Sequence, residues 1–194
     1  MATRAEGKLR VIGGQWRSRV IDFDAADGVR ATPDRVRQTV FDWLAPVIEG
    51  ARCLDLFAGS GAMGIEALSR GAAHCTFVDQ GARQCQRIKS SLLTLKAQHT
   101  DVVPMDAIYF LQQTWHRYHV VFLDPPFESD LLGRALVELP KVLHPENRIF
   151  IEWPLRKPPT LPEGYGPLRE KQAGQVGFGL WTYHAPGGHK AAHA

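Results

Sequence analysis

The sequence has few cysteines and no apolar run near the roughly 20 residues that a membrane-spanning helix needs. Cys53, Cys75 and Cys85 form no C-x-x-C motif, and their odd number leaves one unpaired. This usage predicts reduced thiols in a cytoplasmic protein rather than a disulfide framework. No hydrophobic stretch follows the charges of the N-terminal segment, so we expect no signal peptide. Internal repeats and low-complexity blocks are lacking as well.

Length and charge indicate one α/β domain with a small basic extension. The 194 residues are enough for one substantial domain but not for two full ones. The net charge of +3 is unevenly distributed, because Glu6 is the single acid among the first twenty residues. The basic residues there are Arg4, Lys8, Arg10, Arg17 and Arg19. A basic arm of this kind suggests a polyanionic partner, and a solvated surface hairpin is the alternative.

Alternating strand and helix patterns predict the fold class. The segments KLRVIGG and SRVIDF predict an N-terminal hairpin. In ATPDRVRQTVFDWLAP the apolar period becomes helical, with Thr32 as N-cap and Pro33 as the first helical residue. From Arg52 onward strands alternate with helices, and LREKQAGQV and GFGLWTYH predict a final antiparallel pair at a sheet edge. We expect a mostly parallel sheet with helices on both faces.

The stretch LDLFAGSGAMGIEAL contains the G-x-G-x-x-G spacing of a dinucleotide-binding turn, in Gly59, Gly61 and Gly64. Such glycines permit a sharp turn and close approach of a ligand, which suits NAD and S-adenosylmethionine equally. Asp55 separates the two, because a pyrophosphate on this loop would meet a like charge in a low-dielectric crevice. The cationic ammonium and sulfonium of S-adenosylmethionine suit that carboxylate. The alternative role of Asp55 is to accept hydrogen bonds from nearby backbone N–H groups.

Two further acids follow strands of the alternating region. Asp79 ends the second of these strands, where a carboxylate accepts from the ribose diol of either cofactor. Asp106 follows VVPM, where it can accept from an adenine amino group, serve as N-cap of the next helix, or do both. Ligands of such sheets bind at the carboxyl ends of the strands, so both acids are candidate pocket residues.

The segment Asp124-Pro125-Pro126-Phe127 directly follows a strongly apolar strand. Consecutive prolines fix φ and remove backbone donors, which leaves a rigid turn with outward carbonyls. Asp124 and the Pro125 carbonyl then offer two acceptors to a planar exocyclic amine, and Phe127 can stack on its base. Held in this way, the amine directs its lone pair at an incoming methyl group, and in-line positioning supplies most of the acceleration. The alternative is a stiffened loop without chemistry.

These residues resemble the (D/N)-P-P-(F/Y) methyltransferases, which modify exocyclic amines of bases. From about Leu9 to Tyr183 the chain is similar to the RsmD family of bacterial small-subunit ribosomal RNA guanine-N2 methyltransferases. The similarity lies in RVIGGQWRSR, TPDRVRQTVFDWL, LDLFAGSGAMGIEALSRGA, VFLDPPF and REKQAGQVGFGLW. It implies a Rossmann-like class I S-adenosylmethionine-dependent methyltransferase: an α/β fold with a seven-stranded, mostly parallel sheet and an N-terminal β-hairpin extension.

The resemblance implies transfer of methyl from S-adenosylmethionine to N2 of guanine 966, in a hairpin loop of 16S rRNA. The substrate would be the assembled small ribosomal subunit or its late assembly intermediate. The predicted domain organisation is an RNA-facing hairpin at 1–30, a methyltransferase domain at 31–184 and a disordered tail at 185–194. An adenine-N6 nucleic-acid methyltransferase with the same DPPF motif is the alternative within the class, and an NAD-binding oxidoreductase is the alternative outside it.

Carried over by position, the resemblance assigns three sets of residues. The cofactor set comprises Asp55, Phe57, Ala58, Gly59, Gly61, Asp79, Gln80, Asp106 and Ala107. The catalytic, target-base set comprises Asp124, Pro125, Pro126 and Phe127. The RNA set comprises Arg10, Trp16, Arg17, Arg19, Arg30, Thr32, Asp34, Arg35 and Arg37. The chain departs from the family at Gln38, where a glutamate is usual.

We expect a monomer without membrane contact and without a bound metal. His116 and His119 have an H-x-x-H spacing, but no helical run holds them on one face and no cysteine is nearby. This arrangement is not typical of a metal site.

Overall fold

The computed structural model describes residues 6–25 and 29–187. The predicted tail lies mostly outside these ranges, as does Arg4 of the basic arm. The strands are β1 (Glu6–Arg10), β2 (Val20–Asp24), β3 (Arg52–Asp55), β4 (His74–Asp79), β5 (Thr100–Pro104), β6 (Tyr118–Leu123), β7 (Leu143–Pro154), β8 (Tyr165–Ala173) and β9 (Val176–Tyr183). The helices are α1 (Asp34–Ile48), α2 (Ala62–Ser69), α3 (Ala82–Thr94), α4 (Ala107–Gln113) and α5 (Leu131–Glu138), the last followed by a 3-10 turn, Leu139–Val142.

Within the described residues, seven strands form the main sheet in the order β5-β4-β3-β6-β7-β9-β8. The strands from β5 to β7 are parallel, and β9 runs antiparallel to both of its neighbours. This confirms the predicted seven-stranded, mostly parallel sheet. The chain leaves β3 toward β4 on one side and returns to β6 on the other, so the carboxyl ends of β3 and β6 flank the crevice where such sheets bind ligands. In the described ranges no helix is both long and apolar enough to cross a membrane.

Both faces of the sheet are covered by helices, as the alternating pattern predicts. Side chains of a strand alternate between faces, and each face carries its own apolar cluster. The first cluster joins the sheet to α1, α2, α3 and the hairpin, and includes Val40, Phe41, Ile65, Phe77, Ile88, Phe122 and Phe150. The second joins the sheet to α4 and α5, and includes Leu54, Leu56, Ile108, Val121, Leu123, Leu136 and Ile151.

The last two strands are antiparallel as predicted, and their composition decides which of them forms the edge. β9 buries Phe178, Leu180 and Trp181 between its neighbours. β8, which contains LREKQ, is almost entirely exposed and takes the edge position. Charged side chains on an edge strand also discourage pairing with another chain.

The N-terminal hairpin packs into the main core instead of projecting from it. β1 and β2 pair antiparallel, with Glu6 opposite Asp24, and bury their apolar face in the first cluster. The turn region rests on α2, where Gly14 has a φ of 77° and a Cβ built on it would lie 1.8 Å from the Ser69 carbonyl oxygen. Only glycine allows this approach. The domain boundary at residue 30 stays a prediction.

The start of α1 differs from the prediction. We expected Thr32 as N-cap and Pro33 inside the helix, but α1 begins at Asp34 and Pro33 takes the N-cap position without a side-chain cap. Thr32 is buried, and its carbonyl accepts from Arg37 Nε at 3.0 Å. The first turn is therefore held by an arginine from within the helix rather than by a hydroxyl cap, and the predicted capping role of Thr32 is wrong.

A completely buried carboxylate on α2, that of Glu66, joins the hairpin to the core. Its Oε1 accepts from Gly13 N and Arg70 Nε, both at 2.9 Å. Its Oε2 accepts from Ile12 N at 3.0 Å and from Arg37 Nη1 at 3.3 Å. Four donors from three parts of the chain therefore satisfy one buried charge, which is the condition under which burying it is tolerable.

Replacing Glu66 with glutamine tests this network. Because Glu66→Gln leaves the buried Arg37 guanidinium without its main counter-charge, we expect the free energy of unfolding to fall by about 3 kcal/mol or more. Urea denaturation measures the loss. Gln38→Ala, on the exposed side of α1, is the control and should change stability by less than about 0.5 kcal/mol. Equal stabilities for the two variants would contradict a structural role for the Glu66 carboxylate.

Candidate active site

The glycine loop between β3 and α2 forms one wall of the crevice. Gly59 and Gly61 have φ values of 52° and 78°, a left-handed region that favours glycine. Ala58 N donates to Val78 O at 2.9 Å, which places the loop beside the end of β4. Gly64 serves packing instead, because a Cβ there would lie 2.3 Å from Phe77 Cε1. The first two glycines therefore shape the loop, and the third lets α2 lie close to the sheet.

Asp79 connects the glycine loop to the loop after β4. Its Oδ2 accepts from Gly59 N at 2.9 Å, and its Oδ1 accepts from Gly81 N at 2.8 Å. Asp79 is half-buried and Gln80 beside it is exposed. Each carboxylate oxygen has further lone pairs, so Asp79 is able to accept from a ligand hydroxyl while it holds both loops.

Asp106 is the N-cap of α4. Its Oδ1 accepts from Tyr109 N at 2.9 Å, which confirms the capping alternative, and its side chain is exposed. Two other residues of the predicted cofactor set contribute little surface, because Ala58 and Ala107 are buried. Phe57 is half-buried against the α4 side of the sheet.

Three acids lie near the carboxyl ends of neighbouring strands, and Asp55 is level with Phe122, two residues before Asp124. Asp55 ends β3, Asp124 follows β6, and Glu152 lies near the end of β7. Because Leu123 pairs with Ile151, the register brings Asp124 next to Glu152. Alternation along each strand puts all three side chains on the face that α1 covers. Asp55 is 4% exposed and Glu152 9%, whereas Asp124 is half-buried.

The environment of these acids favours their protonated forms. Burial raises the pKa of Asp55 to about 8, against the opposing effect of its hydrogen bond from Gly64 N at 3.0 Å, and Asp124 and Asp79 raise it further. Burial also raises the pKa of Asp124. Burial and the charge of Asp124 together raise the pKa of Glu152. At neutral pH the cluster therefore retains protons that isolated carboxyl groups would lose.

Glu152 is the site residue that sequence reasoning missed. In the described part of the chain its buried Oε2 has no hydrogen-bond partner. An acid inside the apolar strand RIFIEW is a signal in itself, because a buried charge without a partner is costly. Its connection to Asp124 depends on the pairing of β6 with β7, which the local pattern does not specify.

The DPPF turn offers two acceptors that the protein leaves unused. Pro126 O accepts from Ser129 N at 3.2 Å and from Ser129 Oγ at 2.6 Å, which fixes the turn. No donor within the described residues reaches Pro125 O or the Asp124 carboxyl group. Phe127 is half-buried beside them. The two acceptors are thus available to a ligand that carries two N–H groups.

The predicted RNA residues separate into exposed and buried ones. The exposed ones are Arg10, Arg17, Arg19, Arg30, Asp34 and Arg35, and Trp16 is half-buried. Gln38 is exposed as well and donates to Asp42 Oδ1 at 2.7 Å, so this departure from the family lies outside the crevice.

The prediction that Arg37 faces RNA is wrong. Arg37 is 1% exposed, and its guanidinium donates to Thr32 O, Arg10 O, Glu66 and Asp34. A guanidinium with this many protein acceptors holds α1 and the hairpin in place and has no surface for a ligand. Burial of Thr32 removes it from the RNA-facing set for the same reason.

The structure does not bring the hairpin turn together with the DPPF motif. Trp16 N donates to Ser69 Oγ at 3.0 Å at the end of α2, and Arg19 Nη2 to Thr94 O at 3.4 Å at the end of α3. Both helices run away from the carboxyl ends of the parallel strands, and α2 alone is about 12 Å long. By contrast, a Cβ built on Gly59 would lie 3.4 Å from Val29 Cγ1, so the chain around Arg30 is near the crevice.

Comparisons with known proteins identify the family. A family profile described as Conserved hypothetical protein 95 matches residues 9–182. The Ribosomal RNA small subunit methyltransferase D of Escherichia coli (strain K12) is 45% identical over 184 residues, which are 93% of each chain. This chain belongs to the RsmD family. The Haemophilus influenzae protein of the same name is 39% identical over 91% of this chain and 95% of its own.

A solved structure supports the same placement. The putative methyltransferase yhhF from Escherichia coli superposes with a TM-score of 0.83 at 43% identity, over 92% of this chain and 99% of that one. RsmD membership confirms the predicted recognition and fold class and makes the chain a methyltransferase. The oxidoreductase alternative, which rested on the glycines alone, is therefore wrong.

The raised pKa of Glu152 predicts how the stability of the fold depends on pH. The pKa of Glu152 is raised in the folded protein, so its contribution to stability is present below its unfolded pKa of about 4.3 and is lost as pH rises toward the folded value. Because glutamine does not titrate, we expect Glu152→Gln to melt about 2–4 °C or more above the parent protein at pH 8.5. At pH 5 the difference should be much smaller.

Differential scanning calorimetry from pH 5 to pH 8.5 measures this difference. The same substitution at the exposed Glu146 controls for the loss of one negative charge. A gap between Glu152→Gln and the parent that stays constant with pH would show that the Glu152 carboxyl group ionises normally in the folded protein.

Proposed function

We propose that this RsmD-family enzyme transfers a methyl group from S-adenosylmethionine to N2 of guanine 966 in a hairpin loop of 16S rRNA. The observation that carries this proposal is the pair of unused acceptors, the Asp124 carboxyl group and Pro125 O, at the carboxyl end of β6. The names of its close relatives, ribosomal RNA small subunit methyltransferases, support an rRNA substrate. The enzyme acts as a cytoplasmic monomer on the assembled small subunit or its late intermediate.

S-adenosylmethionine is the methyl donor, and the residues of the crevice fit its chemistry. Asp55 and Asp79 surround a loop whose glycines leave room for close approach of a ligand. Carboxylates stabilise a cationic ligand and accept from a ribose diol, whereas they would repel a pyrophosphate. When bound, S-adenosylmethionine supplies an electrophilic methyl group on a positively charged sulfur.

Asp124 and Pro125 prepare the amine for transfer. The two N–H groups of the exocyclic amine donate to the Asp124 carboxylate and to Pro125 O, which turns the nitrogen lone pair out of conjugation with the ring. With S-adenosylmethionine bound, its methyl group would pass to this nitrogen, and Asp124 would accept the N–H proton that is released. Burial raises the pKa of Asp124, which makes it a better proton acceptor.

Exposed arginines supply the contacts to the RNA backbone. Arg30 lies next to Val29, which contacts the glycine loop, and Arg35 is in the first turn of α1. Both are therefore suited to hold phosphates beside an extruded base. Arg17 and Arg19 lie at the end of the sheet opposite to the crevice and contact a more distant part of the RNA. The hairpin therefore faces the RNA in this proposal.

Replacing the first acceptor tests the reaction directly. We expect Asp124→Ala to lower kcat by roughly 10²–10⁴-fold, because both amine orientation and proton acceptance are lost. Asp124→Asn retains an acceptor oxygen and should keep more activity than the alanine variant. The assay follows labelled methyl transfer to small subunits from cells that lack the modification.

Nucleoside analysis of the product identifies the amine that is methylated. We expect N2-methylguanine, and N6-methyladenine would favour the adenine alternative that shares the DPPF motif. No transfer to any rRNA or subunit preparation by the unaltered enzyme would overturn the proposed function. Titration of each variant with S-adenosylmethionine controls for loss of cofactor binding.

The raised pKa of Asp55 predicts a pH dependence of cofactor binding. A cationic ligand favours ionised Asp55, so below about pH 8 binding releases a proton. We therefore expect affinity for S-adenosylmethionine to rise from pH 6 to pH 8 by up to about tenfold per pH unit and then to level off. Calorimetry in two buffers with different ionisation enthalpies measures both affinity and proton release.

Asp55→Asn should flatten this profile, because the amide does not titrate but still accepts from Gly64 N. Asp42→Asn on the exposed side of α1 is the matched control and should keep the slope. Proton release that is as large in Asp55→Asn as in the unaltered enzyme would assign the titration to another group.

A further inference from the structure

Glu152 has a position in the crevice that the reaction as described does not use. It is nine-tenths buried, and within the described residues its Oε2 has no hydrogen-bond donor. A buried polar atom without a partner is uncommon in folded proteins and indicates either a ligand or stored strain. Glu152 lies on the same sheet face as Asp124, next to it in register, on a strand about 4.8 Å away.

The described surroundings of Glu152 supply no donor to its Oε2. Its partner in β9 is Phe178, an apolar residue that cannot donate to it. The neighbouring strand offers the Asp124 carboxyl group, but within the described residues no hydrogen bond joins it to Glu152. No arginine or lysine of the described residues forms an ion pair with it. The described residues leave this acceptor open to a ligand donor, at the point where the proposed reaction holds the amine of the target base.

We propose that Glu152 accepts the N1–H of the target guanine and so selects guanine over adenine. Guanine presents N1–H and the N2 amine side by side on one edge, and the two acids lie side by side at the ends of β6 and β7. This assignment rests on the proposed guanine-N2 activity. It supplies the base discrimination that the DPPF turn alone does not, because the turn recognises only an exocyclic amine.

Adenine would meet an unfavourable contact at the same place. Its N1 is an acceptor, so the ionised Glu152 that the N1–H of guanine would stabilise faces a lone pair instead, with no proton between them. A site that is built to hydrogen-bond one group rejects an analogue lacking it, because the buried partner is left unsatisfied. Glu152 is thus a specificity-determining residue, and Asp124 with Pro125 is the pair that orients the amine.

The sharpest test keeps the 2-amino group and converts N1, the atom that Glu152 is proposed to contact, from a donor to an acceptor, together with the exchange of O6 for an amine. Small subunits are reconstituted with either guanine or 2,6-diaminopurine at the target position. Diaminopurine keeps the 2-amino group but has an acceptor at N1. We expect the unaltered enzyme to prefer guanine by at least about 100-fold in kcat/KM. In Glu152→Gln, whose amide can donate to N1, this preference should fall by about tenfold or more.

A matched control and the product identity separate the outcomes. Glu146→Gln, on the exposed start of β7, should keep the preference of the unaltered enzyme. An unaltered enzyme that forms N2-methylguanine but methylates both bases equally well overturns the role of Glu152, whether or not the variant folds. An unchanged preference in a folded Glu152→Gln variant does the same. Absence of N2-methylguanine from the unaltered enzyme overturns the proposed function and this inference with it.

Discussion

The buried carboxylate of Glu66 is the constraint on which the arrangement of this molecule depends. It accepts from the turn after β1, from α1 through Arg37 and from its own helix through Arg70. Each of these donors is buried or half-buried, so losing the acceptor would leave several polar groups unsatisfied together. The same network fixes the start of α1 and the chain that leads into it. Because Val29 of that chain lies against Gly59, the packing of α2 also positions the mouth of the crevice.

The acids at the strand ends oppose folding, because burial and neighbouring negative charge disfavour their ionised forms. Asp55, Asp124 and Glu152 lie within one crevice, and among the described residues one backbone donor, that of Gly64, reaches them. Their burial is offset by the apolar clusters on the two faces of the sheet. In the proposed complex, a cofactor with two positive charges and a guanine edge with three N–H donors complement these acids. Burial raises the pKa values of Asp55, Asp124 and Glu152. Such perturbed pKa values are typical of binding sites.

Sequence predicts the features that depend on neighbouring residues. The glycine loop, the DPPF turn and the order of strands and helices follow from local spacing. Arg37 was misjudged because a charged residue near a helix start is usually exposed, and its burial depends on Glu66, which lies on another element. The place of Glu152 in the site could not be predicted, because it depends on the register of β6 and β7 that brings Glu152 next to Asp124. Pairing between strands distant in sequence is what local patterns leave undetermined.

The separation of the exposed arginines bears on the size of the substrate. Arg30 lies beside the crevice. Arg17 and Arg19 lie near the C-terminal ends of α2 and α3, so the length of α2 separates them from the crevice. An RNA that contacts both groups has to extend along the side of the protein formed by the hairpin and α3. A short isolated loop is able to fill the crevice but does not reach the hairpin turn. The distribution of basic residues therefore favours a large folded RNA, which agrees with a base presented on an assembled subunit.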